Sequence, residues 1–193
     1  MSCNANKTSP LVLFSKEFLR NPIKMGSIIP SSKYLADYVA EQAIAQGDGY
    51  IVELGAGTGV VTKAFMRTAI DPERLIIVER SEKLYRYLTE QFPNLRVIHG
   101  DAAELTTLVG AARGQVSTVV SGLPFRAFPK DVTQAILQQV MDVLVEHGRV
   151  IQYTYSWSKG NAFFPAELAR VHSKRIFRNV PPARVDVFER ESD

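Results

Sequence analysis

The sequence has one cysteine, Cys3, three histidines, and no apolar stretch near the roughly 20 residues that span a bilayer. Each scarcity removes a class of function. A lone cysteine makes no internal disulfide, which fits a reducing cytoplasm. His99, His147 and His172 are not spaced with a cysteine or carboxylate as metal ligands would be, so no metal site is expected. The run "LVLF" near the N-terminus is broken at once by Ser15, Lys16 and Glu17, which argues against a signal peptide. A Walker loop is missing because Lys63 follows Thr62 where glycine is required, and no G-x-S-x-G elbow supports a hydrolase. Charge of one sign is also scarce: 23 basic against 20 acidic side chains leave a net +3, too mild to imply a nucleic-acid partner. Internal repeats and low-complexity tracts are absent.

What is present suits a globular chain. With 193 residues, 46% hydrophobic and 22% charged, it is long enough for one α/β domain with a full core and short for two. One domain over 1–193 is expected, with 10–47 as an N-terminal helical and lid extension and 48–193 as the core. Leu11, Phe14, Phe18 and Leu19 fall at helical spacing with Lys16, Glu17 and Arg20 opposite, and Pro22 ends that helix. The loop "PIKMGSIIPSS" offers Ser31 or Ser32 as cap for a helix over 33–45.

From residue 50 the pattern alternates. Strands are predicted over 50–55, 74–80, 95–101, 116–122 and 148–156, and helices over 58–69, 81–92 and 130–146. A short helical or irregular crossover separates the third and fourth strands. This rhythm predicts a parallel sheet with helices on both faces. The tail 174–190 reads as two strands joined through Pro181 and Pro182, too close for a crossover helix and therefore antiparallel.

"VELGAGTG" places Gly55, Gly57 and Gly59 between the first strand and its helix. Position 60 is Val60, so the spacing is G-x-G-x-G, which favours a nucleoside-type ligand over a pyrophosphate. Glu79, with Arg80 beside it, ends the second strand about 20 residues on, where a carboxylate accepts from both ribose hydroxyls. Asp101, between Gly100 and Ala102 at the third strand end, is placed to accept from an adenine amino group. Glu53 precedes the loop, to orient it or to lie near the ligand's amino group. Singly, each carboxylate reads equally as a solvated strand-end residue. In order on successive strand ends, the features resemble the class I S-adenosylmethionine-dependent methyltransferases over residues 48–190.

That resemblance implies an α/β, Rossmann-like sandwich with a mostly parallel seven-stranded sheet, one antiparallel strand near the C-terminus, helices on both faces and an extra N-terminal amphipathic helix. It implies S-adenosylmethionine as cofactor and S-adenosylhomocysteine as product. The implied cofactor-binding residues are Gly26, Ser27, Glu53, Gly55, Gly57, Gly59, Glu79, Arg80, Gly100, Asp101, Ala102 and Ser121.

In this fold the fourth strand end, here "VVSGLPF", faces the methyl group. Ribosomal RNA adenine dimethylases carry an Asn-Leu-Pro-Tyr type motif there, and on Leu123 and Pro124 this chain aligns Gly122 with the amide that grips adenine. The chain more closely resembles the soluble bacterial phospholipid N-methyltransferases, in "FLRNPIKMGSIIPSS", "VELGAGTG", "SGLPF", "VIQYTYSW" and "NVPPARV". This second resemblance implies stepwise N-methylation of phosphatidylethanolamine towards phosphatidylcholine. Ser121, Gly122 and Leu123 would hold the acceptor amine. Pro124, Phe125, Arg126, Tyr153 and Tyr155 would bind the head group, the tyrosines reading equally as core residues. Arg20, Lys24 and Arg126 are candidates for the lipid phosphate. A strand-end hydroxyl, Glu53 or water would serve as base.

Leu11, Phe14, Phe18 and Leu19 would then contact an anionic membrane, or else pack on their own domain. The expected protein is a monomer at the inner face of the bacterial cytoplasmic membrane, with no nucleic acid or metal partner. Two alternatives stay open: an rRNA adenine N6-methyltransferase, and a membrane-peripheral protein that binds the cofactor without catalysis.

Overall fold

A computed structural model describes residues 31–155 and 163–192. The expectations for Leu11, Phe14, Phe18, Leu19, Gly26 and Ser27 lie outside the described residues. Helix α1 (Lys33–Ile44) starts where predicted because the Ser32 side chain accepts from the Leu35 N–H, satisfying one of the first-turn donors. Then follow β1 (Tyr50–Leu54), α2 (Val60–Phe65), β2 (Leu75–Glu79), α3 (Glu82–Gln91), β3 (Arg96–His99), α4 (Leu105–Val109) and β4 (Val116–Ser121). The chain continues through α5 (Lys130–Val143), β5 (Leu144–Thr154), β6 (Leu168–Ile176) and β7 (Ala183–Arg190).

The seven strands form one sheet in the order β3-β2-β1-β4-β5-β7-β6. Neighbours from β3 to β5 pair in parallel, and β7 runs antiparallel to both β5 and β6. The order reverses between β1 and β4, so the crevice for a ligand lies at the carboxyl ends of those strands. Alternation of side chains divides the core into two layers. Ile51, Ile77, Val120 and Ile151 pack under α1, α2 and Leu88 of α3, while Val52, Ile76, Val119 and Val150 pack under α4 and α5. Among the described residues, no helix is long and apolar enough to cross a membrane.

Three boundaries differ from the sequence expectation. The helix after the glycine loop is shorter, entered by Gly59 in the left-handed region (φ 73°) and left at Met66. The predicted helix over 130–146 gives way at Leu144, whose backbone turns extended and starts β5 opposite Val116. The apolar run "VLV" fits either period, and pairing in the sheet decides it. Strand β6 begins six residues before the predicted start at Lys174, at Leu168. It is an edge strand exposed from Arg170 to Arg175, and so lacks the alternation that marks a half-buried strand.

Asn179, only 1% exposed, ties the β6–β7 turn to the start of α1. Its Oδ1 accepts from the Ser32 N–H at 2.6 Å and its Nδ2 donates to the Pro181 carbonyl at 2.7 Å. Asn179→Ala leaves both partners unpaired. It should lower unfolding free energy by about 1–3 kcal/mol in urea titrations without changing the slope.

Candidate functional site

The glycine loop leaves β1 with Gly55, Gly57 and Gly59 all at positive φ, at 70°, 58° and 73°. These angles suit glycine alone among common residues. Gly57 matters most for a ligand: a Cβ built there meets nothing within 4 Å, so the loop presents bare backbone to open space. Beneath it Glu79, 6% exposed, accepts from the Gly57 N–H at 3.0 Å and the Ser81 N–H at 2.8 Å, one on each carboxylate oxygen. Each oxygen keeps a further lone pair for a hydroxyl. Burial pushes the Glu79 carboxyl up, and the backbone donors at Ser81, Gly57 and Arg80 oppose it.

Asp101 caps the turn Ala102–Glu104, accepting from the Ala103 N–H at 3.0 Å, and pairs with Arg80 at 3.2 Å. The Gly100 N–H donates to the Glu79 carbonyl at 3.2 Å. The loop, Glu79, Arg80, Gly100, Asp101 and Ala102 thus meet at adjacent strand ends.

Glu53 is 1% exposed on β1. The Thr62 hydroxyl donates to its Oε2 at 2.7 Å, and its Oε1 is buried without a partner. Burial, with the Glu79 charge adding to it, pushes the carboxyl up to about 7. Thr62 carried no functional signal beyond its place one turn into the helix after the glycines.

At the end of β4, Ser121 is 1% exposed and its Oγ accepts from the Leu123 N–H at 3.2 Å, folding the corner back. The corner locks onto both neighbouring strands. The Gly122 N–H donates to the Leu54 carbonyl at 3.3 Å, and Gln152 Nε2 of β5 donates to the Leu123 and Tyr153 carbonyls, each at 3.0 Å. A Cβ built at Gly122 would overlap the Tyr153 hydroxyl oxygen and lie 2.5 Å from Cζ. The space of a side chain at 122 is therefore filled from β5. Burial first, then the Glu53, Tyr155 and Glu79 charges, raises the Tyr153 phenol above its ordinary value, so it is neutral. Tyr155 lies beside it, its hydroxyl 2.9 Å from the Ser31 Oγ.

Phe125 is placed differently from Tyr153. It is 4% exposed, in a ring cluster with Phe128, Phe163 and Phe164, at centroid separations of 5.9–6.4 Å. Arg126 is exposed on the same turn, and Pro124 is half-buried at its start. Sequence reasoning missed Gln152, whose Oε1 is also buried without a partner. Its one legible signal was an amide inside an otherwise apolar strand.

The chemistry of this donor set fits S-adenosylmethionine. Open backbone at Gly57 suits a sugar laid across it, Glu79 holds spare acceptors for its hydroxyls, and Asp101 offers an acceptor for an amino group. A family model described as a methyltransferase domain matches residues 51–148. An ornithine lipid N-methyltransferase of Singulisphaera acidiphila is 32% identical, over 89% of this chain and 91% of that protein. A ribosomal RNA small subunit methyltransferase A of Chlorobium chlorochromatii is 22% identical, over 56% of this chain and 36% of its own length. Among solved structures, the 1,6-didemethyltoxoflavin-N1-methyltransferase of Burkholderia thailandensis, with 1,6-didemethyltoxoflavin and S-adenosylhomocysteine bound, shares the fold. Its TM-score is 0.69 at 14% identity, over all of this chain and 93% of that one.

Glu53 makes stability depend on pH in a defined direction. Below its ordinary value of 4.5 the group is protonated folded and unfolded; between there and about 7 only the unfolded chain releases the proton. Folding stability from this group therefore falls as pH rises through that window and levels off above it. Urea titrations should show wild type losing on the order of 3 kcal/mol relative to Glu53→Gln between pH 4.5 and 7.

Proposed function

This chain belongs to the methyltransferase domain family and is a class I S-adenosylmethionine-dependent methyltransferase; from that premise, we propose that it N-methylates the primary amine of a membrane lipid head group. The observation that carries the reading is the Gly122–Tyr153 pair: where adenine dimethylases place an amide, this chain has no side chain and a neutral phenol instead. An adenine amine is delocalised into its ring and needs strong acceptors to become nucleophilic. An alkyl amine needs only to be oriented and to lose its proton. The lipid N-methyltransferase relative, matched along nearly its whole length, supports the same acceptor class.

S-adenosylmethionine supplies a methyl group on a sulfonium, already an activated leaving group. The chain's work is placement. Glu79, Asp101 and the bare loop at Gly57 hold the nucleoside end, and Glu53 lies where β1 enters that loop. The Tyr153 oxygen and the Gly122 carbonyl accept from the amine, while Ser121, Gln152 and the Leu123 carbonyl, which already accepts from Gln152 and the Phe125 N–H, fix the corner's shape. The acceptor must be neutral at attack, and Glu53, titrating near neutrality with Oε1 free, is the proton site closest in kind to that need. Tyr155 and Pro124 border the head group, with Arg126 and the N-terminal basic residues for its phosphate.

Phosphatidylethanolamine is the proposed head group, and the relative's substrate makes the ornithine lipid amine the competing reading. The enzyme works as a peripheral protein at the inner face of the cytoplasmic membrane, Leu11, Phe14, Phe18 and Leu19 entering the interface. Incubation of the purified protein with methyl-labelled S-adenosylmethionine and vesicles holding either lipid, or with rRNA, tests the proposal. Label should enter a lipid amine, with phosphatidylethanolamine preferred. Label confined to ornithine lipid corrects the head group, and label in RNA alone overturns the reading.

A further inference from the structure

The turn between β6 and β7 exposes large apolar side chains that the fold itself does not use. Phe177 is 66% exposed and Val180 86%, and Tyr34 at the start of α1, 56% exposed, lies alongside. Single exposed apolar residues are ordinary, but several at one end of a molecule mark a contact surface. Asn179 explains how they are held out. It alone of the turn residues 177–180 is buried, bonded to the Ser32 N–H and the Pro181 carbonyl, so its neighbours project while it anchors.

Cations surround these side chains. Arg178 lies over the Tyr34 ring, 5.0 Å from its centroid, and Lys174 over the Tyr38 ring at 4.2 Å. Arg175 is exposed on the adjoining strand and Lys33, paired with Asp37, on the adjoining helix, and from Ala169 to Val185 the chain holds no Asp or Glu. The pairs Ile176–Ala183 and Thr154–Arg184 place the turn beyond the carboxyl end of β5. That is the end of the sheet where Ser121, Gly122 and Tyr153 stand.

We propose that the Phe177–Val180 turn, with Tyr34 and its rim of Lys and Arg side chains, is a membrane-docking surface that seats the active-site end of the sheet on an anionic bilayer. Phe177 and Val180 enter the boundary between head groups and acyl chains, and Lys174 and Arg178 meet anionic head groups. An aliphatic tip as exposed as Val180 gives nothing to a nucleic acid, which stacks on rings and pairs with cations. The surface is formed without any residue of the sequence's N-terminal apolar stripe. Its value to catalysis rests on the lipid reading above, because docking there presents a lipid amine to the corner.

The test uses the full chain and vesicles of phosphatidylglycerol with phosphatidylcholine, read by co-sedimentation. Phe177→Ser/Val180→Ser, and separately Lys174→Gln/Arg178→Gln, should weaken partitioning about tenfold or more. Both should keep wild-type melting and S-adenosylmethionine affinity, and wild-type methyl transfer to a lipid amine dispersed in detergent micelles. With Trp157→Phe alongside it, so that it is the sole indole, Phe177→Trp should be quenched by lipids with brominated acyl chains. Wild-type partitioning by the apolar double variant, or no quenching, overturns the docking surface. Failure of wild type to methylate any micellar lipid amine overturns the substrate reading instead, while weakened partitioning would still uphold the surface.

Discussion

The site depends on one steric exclusion: the Tyr153 hydroxyl and a side chain at position 122 cannot coexist. Everything near the corner follows from that. Gly122 continues the β1–β4 ladder through its N–H, Ser121 folds the chain back onto Leu123, and Gln152 ties the Leu123 carbonyl to β5. On the other side a Cβ at Gly55 would come within 2.8 Å of Leu123 Cδ2. The glycines at 55 and 122 thus leave room for Leu123 and Tyr153, and the glycine loop and the β4 corner pack directly on one another.

Electrostatics follow the same geometry. Glu53 on β1 and Tyr153 on β5, with β4 between them, lie in one layer, under α1 and α2, and burial raises both groups. A carboxyl balanced near neutrality and a neutral phenol offer a proton acceptor and a hydrogen-bond acceptor in the same layer. Burial raises Glu79 as well, but the Gly57 and Ser81 N–H groups hold it, so the residue proposed to receive the sugar also shapes the loop.

Much of this was legible in the sequence. The strand–glycine–helix rhythm gave the parallel sheet, the short tail gave the reversed strand β7, and the carboxylates fell in order on strand ends. The structure supplied what periodicity could not. Leu144 joined a strand because Val116 was there to pair with it, and β6 extended back to Leu168 because an exposed edge has no alternating face. Gly122 was readable as an absence, but its cause was not: Tyr153 lies 31 positions away and meets it only through the β4–β5 register, Ser121 opposite Gln152. Phe125, an aromatic beside the corner, turned inward to a ring cluster that no local pattern announces.

The central claim is that the Tyr153 oxygen does for an alkyl amine what a side chain at 122 does for a nucleobase. The most direct measurement is the kcat of Tyr153→Phe on the preferred lipid amine, taken with its S-adenosylmethionine affinity. The account predicts a fall in kcat of about tenfold or more at unchanged cofactor affinity, since only an orienting acceptor is lost. An unchanged kcat would contradict it.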